Sequence, residues 1–200
     1  MNSPVTVEYL KDLGNILTQI EASDGQGKKL TLEQGLMNAI QIMVTQSKLK
    51  KKIIFIGNGG SAAISSHQSV DYWKNGGMRA IAFNDTSLLT CVGNDYGYPH
   101  VFEKPIEMFA DPGDVLIAIS SSGKSENILR GVKMAQSLNC QTITMSGFKT
   151  DNPLRSLGEV NFYVPSLESY GFVEIAHLAI CHSMIDTIIR KEMIMPAAVA

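Results

Sequence analysis

The sequence predicts an α/β fold: a doubly wound, five-stranded parallel sheet with two additional N-terminal helices. Three observations predict it. From Lys52 onward, short apolar runs alternate with longer helical stretches, the pattern of a parallel sheet covered on both faces. Before Lys52, apolar residues recur at three- and four-residue steps, the period of amphipathic helices. No internal repeat, low-complexity tract or Pro- or Ser-rich linker marks a second domain.

In chain order, Leu10, Leu13, Leu17 and Ile20 define the first helix, and Leu32, Leu36, Ala39, Ile40 and Met43 the second, with Gly25-Gln26-Gly27 interrupting them. The expected strands are Ile53 to Ile56, Ala80 to Phe83, Val115 to Ile119, Thr142 to Met145 and Asn161 to Val164. Helices are expected from Ser61 to Lys74, Pro99 to Phe109, Ser125 to Leu138 and Tyr170 to Lys191. This gives a single domain over 1–200, with a helical pair at 1–50 and an α/β core at 51–192. The basic run Lys48, Lys50, Lys51, Lys52 reads as a solvated helix end, where lysines complement the negative end of the helix dipole.

The composition narrows the partners. Of 200 residues, 44% are hydrophobic and 18% charged, against about 25% charged in an average domain, so the chain hides much of its surface. Its 17 basic and 19 acidic residues give a net charge of −2, without the basic excess that nucleic-acid binding leaves. No run approaches the roughly 18 consecutive apolar residues of a membrane span. Met1-Asn2-Ser3-Pro4 has neither a basic nor an apolar leader segment. A cytoplasmic protein with a small-molecule partner, and neither nucleic acid nor membrane, is expected. Three separated cysteines, Cys91, Cys140 and Cys181, suit neither a disulfide framework nor a thiolate metal site and read as reduced core residues.

Two loops at strand ends carry the chemistry. Gly57-Asn58-Gly59-Gly60-Ser61-Ala62 follows the first strand and opens a helix, so backbone approaches a ligand closely and free N–H groups favour an anion. Gly57, Gly59 and Ala62 also fit a dinucleotide fingerprint, but that reading needs an acid about 20 residues on. Asp85 comes 28 residues after Gly57. The loop lacks the Gly-Lys-Ser/Thr ending of a nucleoside-triphosphate site. The second loop, Ser120-Ser121-Ser122-Gly123-Lys124-Ser125, offers hydroxyls and a helix N-terminus to a phosphate; read more simply, it is a turn in which Ser125 caps the helix. Both loops fall at carboxyl ends of parallel strands, the edge where open α/β sheets hold ligands. Together they point to a phosphorylated ligand.

Three ordered motifs, Gly57-Asn58-Gly59-Gly60-Ser61, Gly93-Asn94-Asp95-Tyr96-Gly97-Tyr98 and Pro112 to Gly123, resemble the sugar isomerase (SIS) domain family, and within it the phosphoheptose isomerases. The resemblance spans nearly the whole chain. It implies a flavodoxin-like or Rossmann-like SIS fold and isomerisation of sedoheptulose 7-phosphate to D-glycero-D-manno-heptose 7-phosphate, for bacterial surface-polysaccharide heptose. It also implies a homo-oligomer, with a tetramer as in its relatives. The family's phosphate loop falls on Ser120, Ser121, Ser122 and Ser125, and its sugar-side loop on Asn58, Gly59 and Ser61. Its active-site aspartate falls on Asp95 and its catalytic histidine on His182. Its catalytic glutamate falls on Asp71, with His67 one turn before, and its last-helix glutamine on Glu174. Both are departures at the sugar end, which leaves open another sugar phosphate as substrate or a non-catalytic adaptor role.

Asp71 and His182 are the residue types that aldose–ketose isomerisation needs, a base at carbon and a proton carrier for the oxygens. His67 and Asp71 share a helix face, which suits a metal ion. Some relatives carry zinc beside these positions, so the resemblance leaves a Zn²⁺ site open at His67, Asp71, Glu174 and His182. Glu174 and His182 are eight residues apart, about 12 Å along a helix, so meeting on one ion requires inward reach or two chains. His177 is rotated about 140° from His182 and reads as a core or interface histidine. Trp73, Tyr72, Met78, Tyr96, Tyr98 and Phe102 read as core or subunit contact rather than as a sugar-stacking set.

Overall fold

The computed structural model describes residues 5–167 and 169–194. Its first helices are as expected: α1 (Val5–Thr18) and α2 (Leu32–Lys48). Thr31 caps α2 reciprocally, accepting from the Gln34 N–H at 3.1 Å while the Gln34 side chain accepts from the Thr31 N–H at 2.9 Å. Between the helices the structure departs from the sequence reading. Gly25-Gln26-Gly27 is the turn of an antiparallel hairpin, β1 (Glu21–Asp24) and β2 (Lys29–Leu30). The Asp24 carboxylate accepts from the N–H groups of Gln26 and Lys28, and Gly27 takes a left-handed φ of 79°.

The rest of the chain alternates in the predicted way: β3 (Lys52–Gly57), α3 (Gly60–Lys74), β4 (Arg79–Ala82), α4 (Thr86–Asp95), α5 (Glu103–Phe109), β5 (Val115–Ser120), α6 (Glu126–Ser137), β6 (Gln141–Gly147), β7 (Val160–Val164) and α7 (Tyr170–Arg190). The sheet therefore has seven strands rather than five, in the order β2-β1-β7-β6-β5-β3-β4. The five expected strands are parallel, and β1 joins β7 antiparallel with Glu21 opposite Tyr163. Two helical expectations also change. α4 was not foreseen, and the stretch from Pro99 divides into a 3₁₀ turn at Tyr98–His100 and α5.

Period-two alternation sends successive strand residues to two cores. Phe55, Ile117, Met145 and Phe162 face α2, α3 and α7, whereas Ile54, Ile56, Leu116 and Ala118 face α5 and α6. β5 and β7 are buried throughout, which is why β5 reads as an apolar run, whereas β7 carries the buried Asn161, whose amide donates to the Gly158 and Asp24 carbonyls. α7 is long and apolar enough to cross a membrane by length and composition, but Val173, Ala176, Ile180, Met184 and Ile188 turn its apolar positions into the core. Lys52 is not part of a solvated helix end. It begins β3 and its ammonium lies 2.6 Å from Asp111 and 2.8 Å from the fully buried Asp114. Partial burial lowers the lysine pKa, but the two carboxylates outweigh it and raise it. Of the cysteines, Cys140 and Cys181 are buried as expected, while Cys91 is exposed and its thiol is raised by its hydrogen bond to Asp95.

His177 is a core histidine. It is wholly buried, its Nε2–H donates to the Ser146 carbonyl at 3.1 Å, and Nδ1 has no partner. Burial holds its pKa down at about 4. The unfolded chain, near 6.5, therefore binds a proton that the native state refuses between these values, so stability falls as pH drops from about 6.5 to 4, by up to roughly 3 kcal/mol. His177→Gln should flatten that part of the thermal-unfolding profile; an unchanged slope would mean that other groups set it.

From β3 the chain turns one way to β4 and the other way to β5. At that switch point the loops after β3 and β5 diverge and open a crevice at the carboxyl edge of the sheet.

Candidate active site

The crevice is a cleft of about 240 Å³ lined by Asn58, Gly59, Gly60, Ser61, Ser120, Ser121, Ser122, Ser125, Tyr170 and Glu174. Every proposed phosphate-side and sugar-side residue faces it. The first loop is tight: a Cβ on Gly57 would lie 2.5 Å from the Ser61 carbonyl oxygen, and Gly59 has φ 54°. In the second, the Gly123 N–H donates to Ser120 Oγ at 3.2 Å and the Lys124 N–H to Ser122 Oγ at 3.3 Å. Ser125 occupies the N-cap position of α6, but its side chain makes no capping bond; its Oγ accepts from Ser120 Oγ at 3.4 Å, which leaves its own proton to donate to a ligand. The two loops are tied together. Asn58 and Asn127 exchange amide hydrogen bonds of 2.9 Å each, and the Tyr98 hydroxyl donates to Asn58 Oδ1 at 3.0 Å. The starts of α3 and α6 both meet this cleft, so hydroxyls and helix N-termini line it, an arrangement that suits an anion, with the Glu174 carboxylate beside Gly60 at one end.

A second cluster lies further along the α3–α7 pair. Asp71 Oδ2 is 3.4 Å from His67 Nε2 and 3.9 Å from His182 Nδ1, and Asn75 donates to Asp71 Oδ1 at 3.3 Å. The imidazole centroids of His67 and His182 are 5.5 Å apart. Ligand atoms of His67, Asp71 and His182 all lie within 4.8 Å of one another, a spacing that suits one ion held by three protein ligands. Glu174, the fourth residue of the anticipated metal set, is not among them. Its carboxylate fills the space a Cβ on Gly60 would occupy, at 2.4 Å, two helical turns from His182.

The other sequence-derived candidates fall as follows. Asp95 ends α4 outside the cleft lining, exposed, accepting from Asn94 at 2.8 Å and contacting Cys91 Sγ at 3.6 Å. Asp85, too distant for a nicotinamide acid, caps α4 instead, accepting from the Leu88 N–H. Among the aromatic and Met set, Tyr72, Met78 and Phe102 are core, while Trp73, Tyr96 and Tyr98 are exposed. Sequence reading missed Gly60, Tyr170, Asn127 and Gln68. Asn127 in the first turn after a serine loop was a usable signal; Gln68, a buried amide on an otherwise mixed helix, gave none. A larger cavity of about 340 Å³ lies beside the β1–β2 hairpin, where Arg155 pairs with Glu21 at 2.9 Å and Lys29 approaches the same carboxylate at 3.7 Å.

The chain resembles known proteins over most of its length. The SIS domain family model matches residues 8–147. A phosphoheptose isomerase from Aliarcobacter butzleri is 34% identical over 194 residues, covering 94% of this chain and 97% of the relative. The structure of phosphoheptose isomerase GmhA from Neisseria gonorrhoeae superposes with a TM-score of 0.78 at 29% identity, covering 92% of this chain and 97% of that one. A phosphoheptose isomerase from Francisella tularensis gives 0.79 at 26%, covering 96% and 100%. A matched model over most of the chain and a near full-length relative above 30% identity lead to one assignment: the chain belongs to the SIS domain family, with the phosphoheptose isomerases.

Proposed function

We propose that this chain isomerises sedoheptulose 7-phosphate to D-glycero-D-manno-heptose 7-phosphate, in the cytoplasm, for bacterial surface-polysaccharide heptose. The observation that carries this reading is the pairing of a hydroxyl-lined cleft with a half-buried carboxylate–imidazole cluster, in a chain that aligns over 94% of its length with a phosphoheptose isomerase. The serine loop holds the phosphate. Asp71 takes the proton from the carbon next to the carbonyl, giving an enediol, and returns it to the neighbouring carbon; His182 moves the proton between the two oxygens. Nothing is oxidised or reduced overall. Asp95, which the resemblance places among the catalytic residues, lies outside the cleft lining and outside the cluster, so no step is assigned to it.

His67, Asp71 and His182 suit zinc in donor type and spacing, and would hold it without Glu174. A zinc ion there would polarise the substrate carbonyl. The assembly that fits the resemblance is a homo-oligomer, a tetramer. Val5, Leu10, Trp73 and Tyr170, all more than half exposed, supply apolar surface for such contacts.

Purified chain incubated with sedoheptulose 7-phosphate, followed by NMR of the sugar carbons, should show the aldose accumulating. Ser122→Ala and Ser125→Ala should each weaken substrate by roughly 1–3 kcal/mol. No conversion of any five- to seven-carbon ketose phosphate would overturn the reading. Asp71 and Glu174, standing where the family has glutamate and glutamine, favour a different sugar within that panel as the second reading.

A further inference from the structure

Asn127 is the second residue of α6, yet it is only 3% exposed and pairs with Asn58 in the loop after β3. Burying an amide costs free energy unless its polar atoms are matched, a demand that a leucine of similar size would not make. Here both ends are matched. Asn127 Oδ1 accepts from the Ile128 N–H at 3.0 Å and from Asn58 Nδ2 at 2.9 Å, while Asn127 Nδ2 donates to Asn58 Oδ1 at 2.9 Å. The Tyr98 hydroxyl donates to the same Asn58 oxygen at 3.0 Å. Asn58 lines the cleft and Asn127 does not.

We propose that Asn127 is a positioning residue: it fixes which way round the Asn58 amide stands, so that Asn58 keeps one N–H for an oxygen of the bound sugar phosphate. The terminal torsion of an asparagine is broad and roughly two-fold, so an unheld amide presents either its nitrogen or its oxygen to a ligand. An oxygen there would meet the ligand's own oxygens, lone pair to lone pair. The choice is made by a group that can only donate, the Ile128 N–H. It makes the facing atom of Asn127 the oxygen, which makes the facing atom of Asn58 the nitrogen and reverses the other two. Turned over, the pair would set an N–H of Asn127 against the Ile128 N–H. Tyr98 cannot make the same choice, since a hydroxyl either donates or accepts. As placed, Asn58 Oδ1 accepts twice and Nδ2 donates once, and the second Nδ2 proton has no partner among the described residues. Asn127 thus acts on the ligand only through Asn58.

The proposal rests on the isomerase reading for its substrate, and its test has an arm that needs no turnover. Asn127→Leu keeps volume and removes both donor and acceptor. With sedoheptulose 7-phosphate it should raise KM about tenfold and leave kcat within about threefold, the mark of a lost contact made alike in ground and transition states. In an Asn58→Ala background the same substitution should change kcat/KM by less than about twofold, because its route to the ligand is already gone. An Asn127→Leu effect of equal size in both backgrounds means a general loosening of the loops and overturns the proposal. The second arm is the ¹H–¹⁵N spectrum of the full chain labelled with ¹⁵N-asparagine, in which the Asn58 side-chain amide is assigned by its loss in Asn58→Ala. The wild type should show two well-separated Asn58 Nδ2 protons, one protected from solvent and one that moves when sedoheptulose 7-phosphate is added. Two solvent-exposed protons, or an amide that no ketose phosphate moves, overturn the proposal whether or not Asn127→Leu folds. A wild type that turns over no ketose phosphate overturns the isomerase reading instead, and the amide spectra with the same sugar phosphates still decide this one.

Discussion

Asp71→Asn is expected to lower turnover at least ~10²-fold while KM stays near its wild-type value. The amide keeps the size of the carboxylate and its contact with Asn75, but it cannot take a proton from carbon. Loss of a group that acts only in the transition state lowers kcat and kcat/KM together. Asp71→Glu then discriminates between substrates. Its side chain is one methylene longer, a displacement large enough to matter for catalytic geometry. A gain on sedoheptulose 7-phosphate would mean that the aspartate is a compromise, and a loss that the site is shaped around it for another sugar. Full turnover in Asp71→Asn, with no dependence on metal, would move the base elsewhere.

Gly123→Ala is expected to be the most damaging single-methyl change in the cleft, lowering stability by at least about 2 kcal/mol. Two effects add. Gly123 has φ 61°, where a side chain is strained, and a Cβ there would stand 1.9 Å from Asn152 Oδ1 and 2.9 Å from Asn152 Cβ. Asn152 has no room to retreat, because its amide donates to Ser146, Gly147 and Lys149 from a buried position. For a chain of this size the melting temperature should drop by several degrees, with phosphate affinity falling alongside. An unchanged melting temperature would show that the loop relaxes at little cost.

The inner parallel strands were legible because they are buried on both faces, so Val115–Ile119 and Ile53–Ile56 appear as apolar runs needing no periodicity, whereas the edge strand β4 is only half-buried. The β1–β2 hairpin was not. Glu21-Ala22-Ser23-Asp24 buries one residue of four and takes its strand identity from pairing with β7, which no local pattern announces. α4 was hidden for a similar reason: it buries no residue fully, and its start is marked only by the Asp85 cap. Both loops of the cleft were readable, since glycine and serine at strand ends have a direct conformational meaning. Their mutual fastening through Asn58 and Asn127 was not, because it joins residues 69 apart in sequence. Nor was Gln68, whose partner His182 lies 114 residues on. Local chemistry is written locally; the contacts that orient it are written by the topology.

The cleft lining contains hydroxyls, amides, backbone and one carboxylate, with no lysine or arginine among the described residues. A dianion held in this way would respond to its surroundings differently from one held by lysines or arginines. Fixed dipoles act over the first turn of a helix and are set by the fold, whereas attraction between mobile full charges decays over a Debye length of about 8 Å and weakens as salt rises. Affinity here follows the internal geometry of two loops and little of the ionic strength around them. Selection rests on which phosphate carries a body that fits the 240 Å³ beside it.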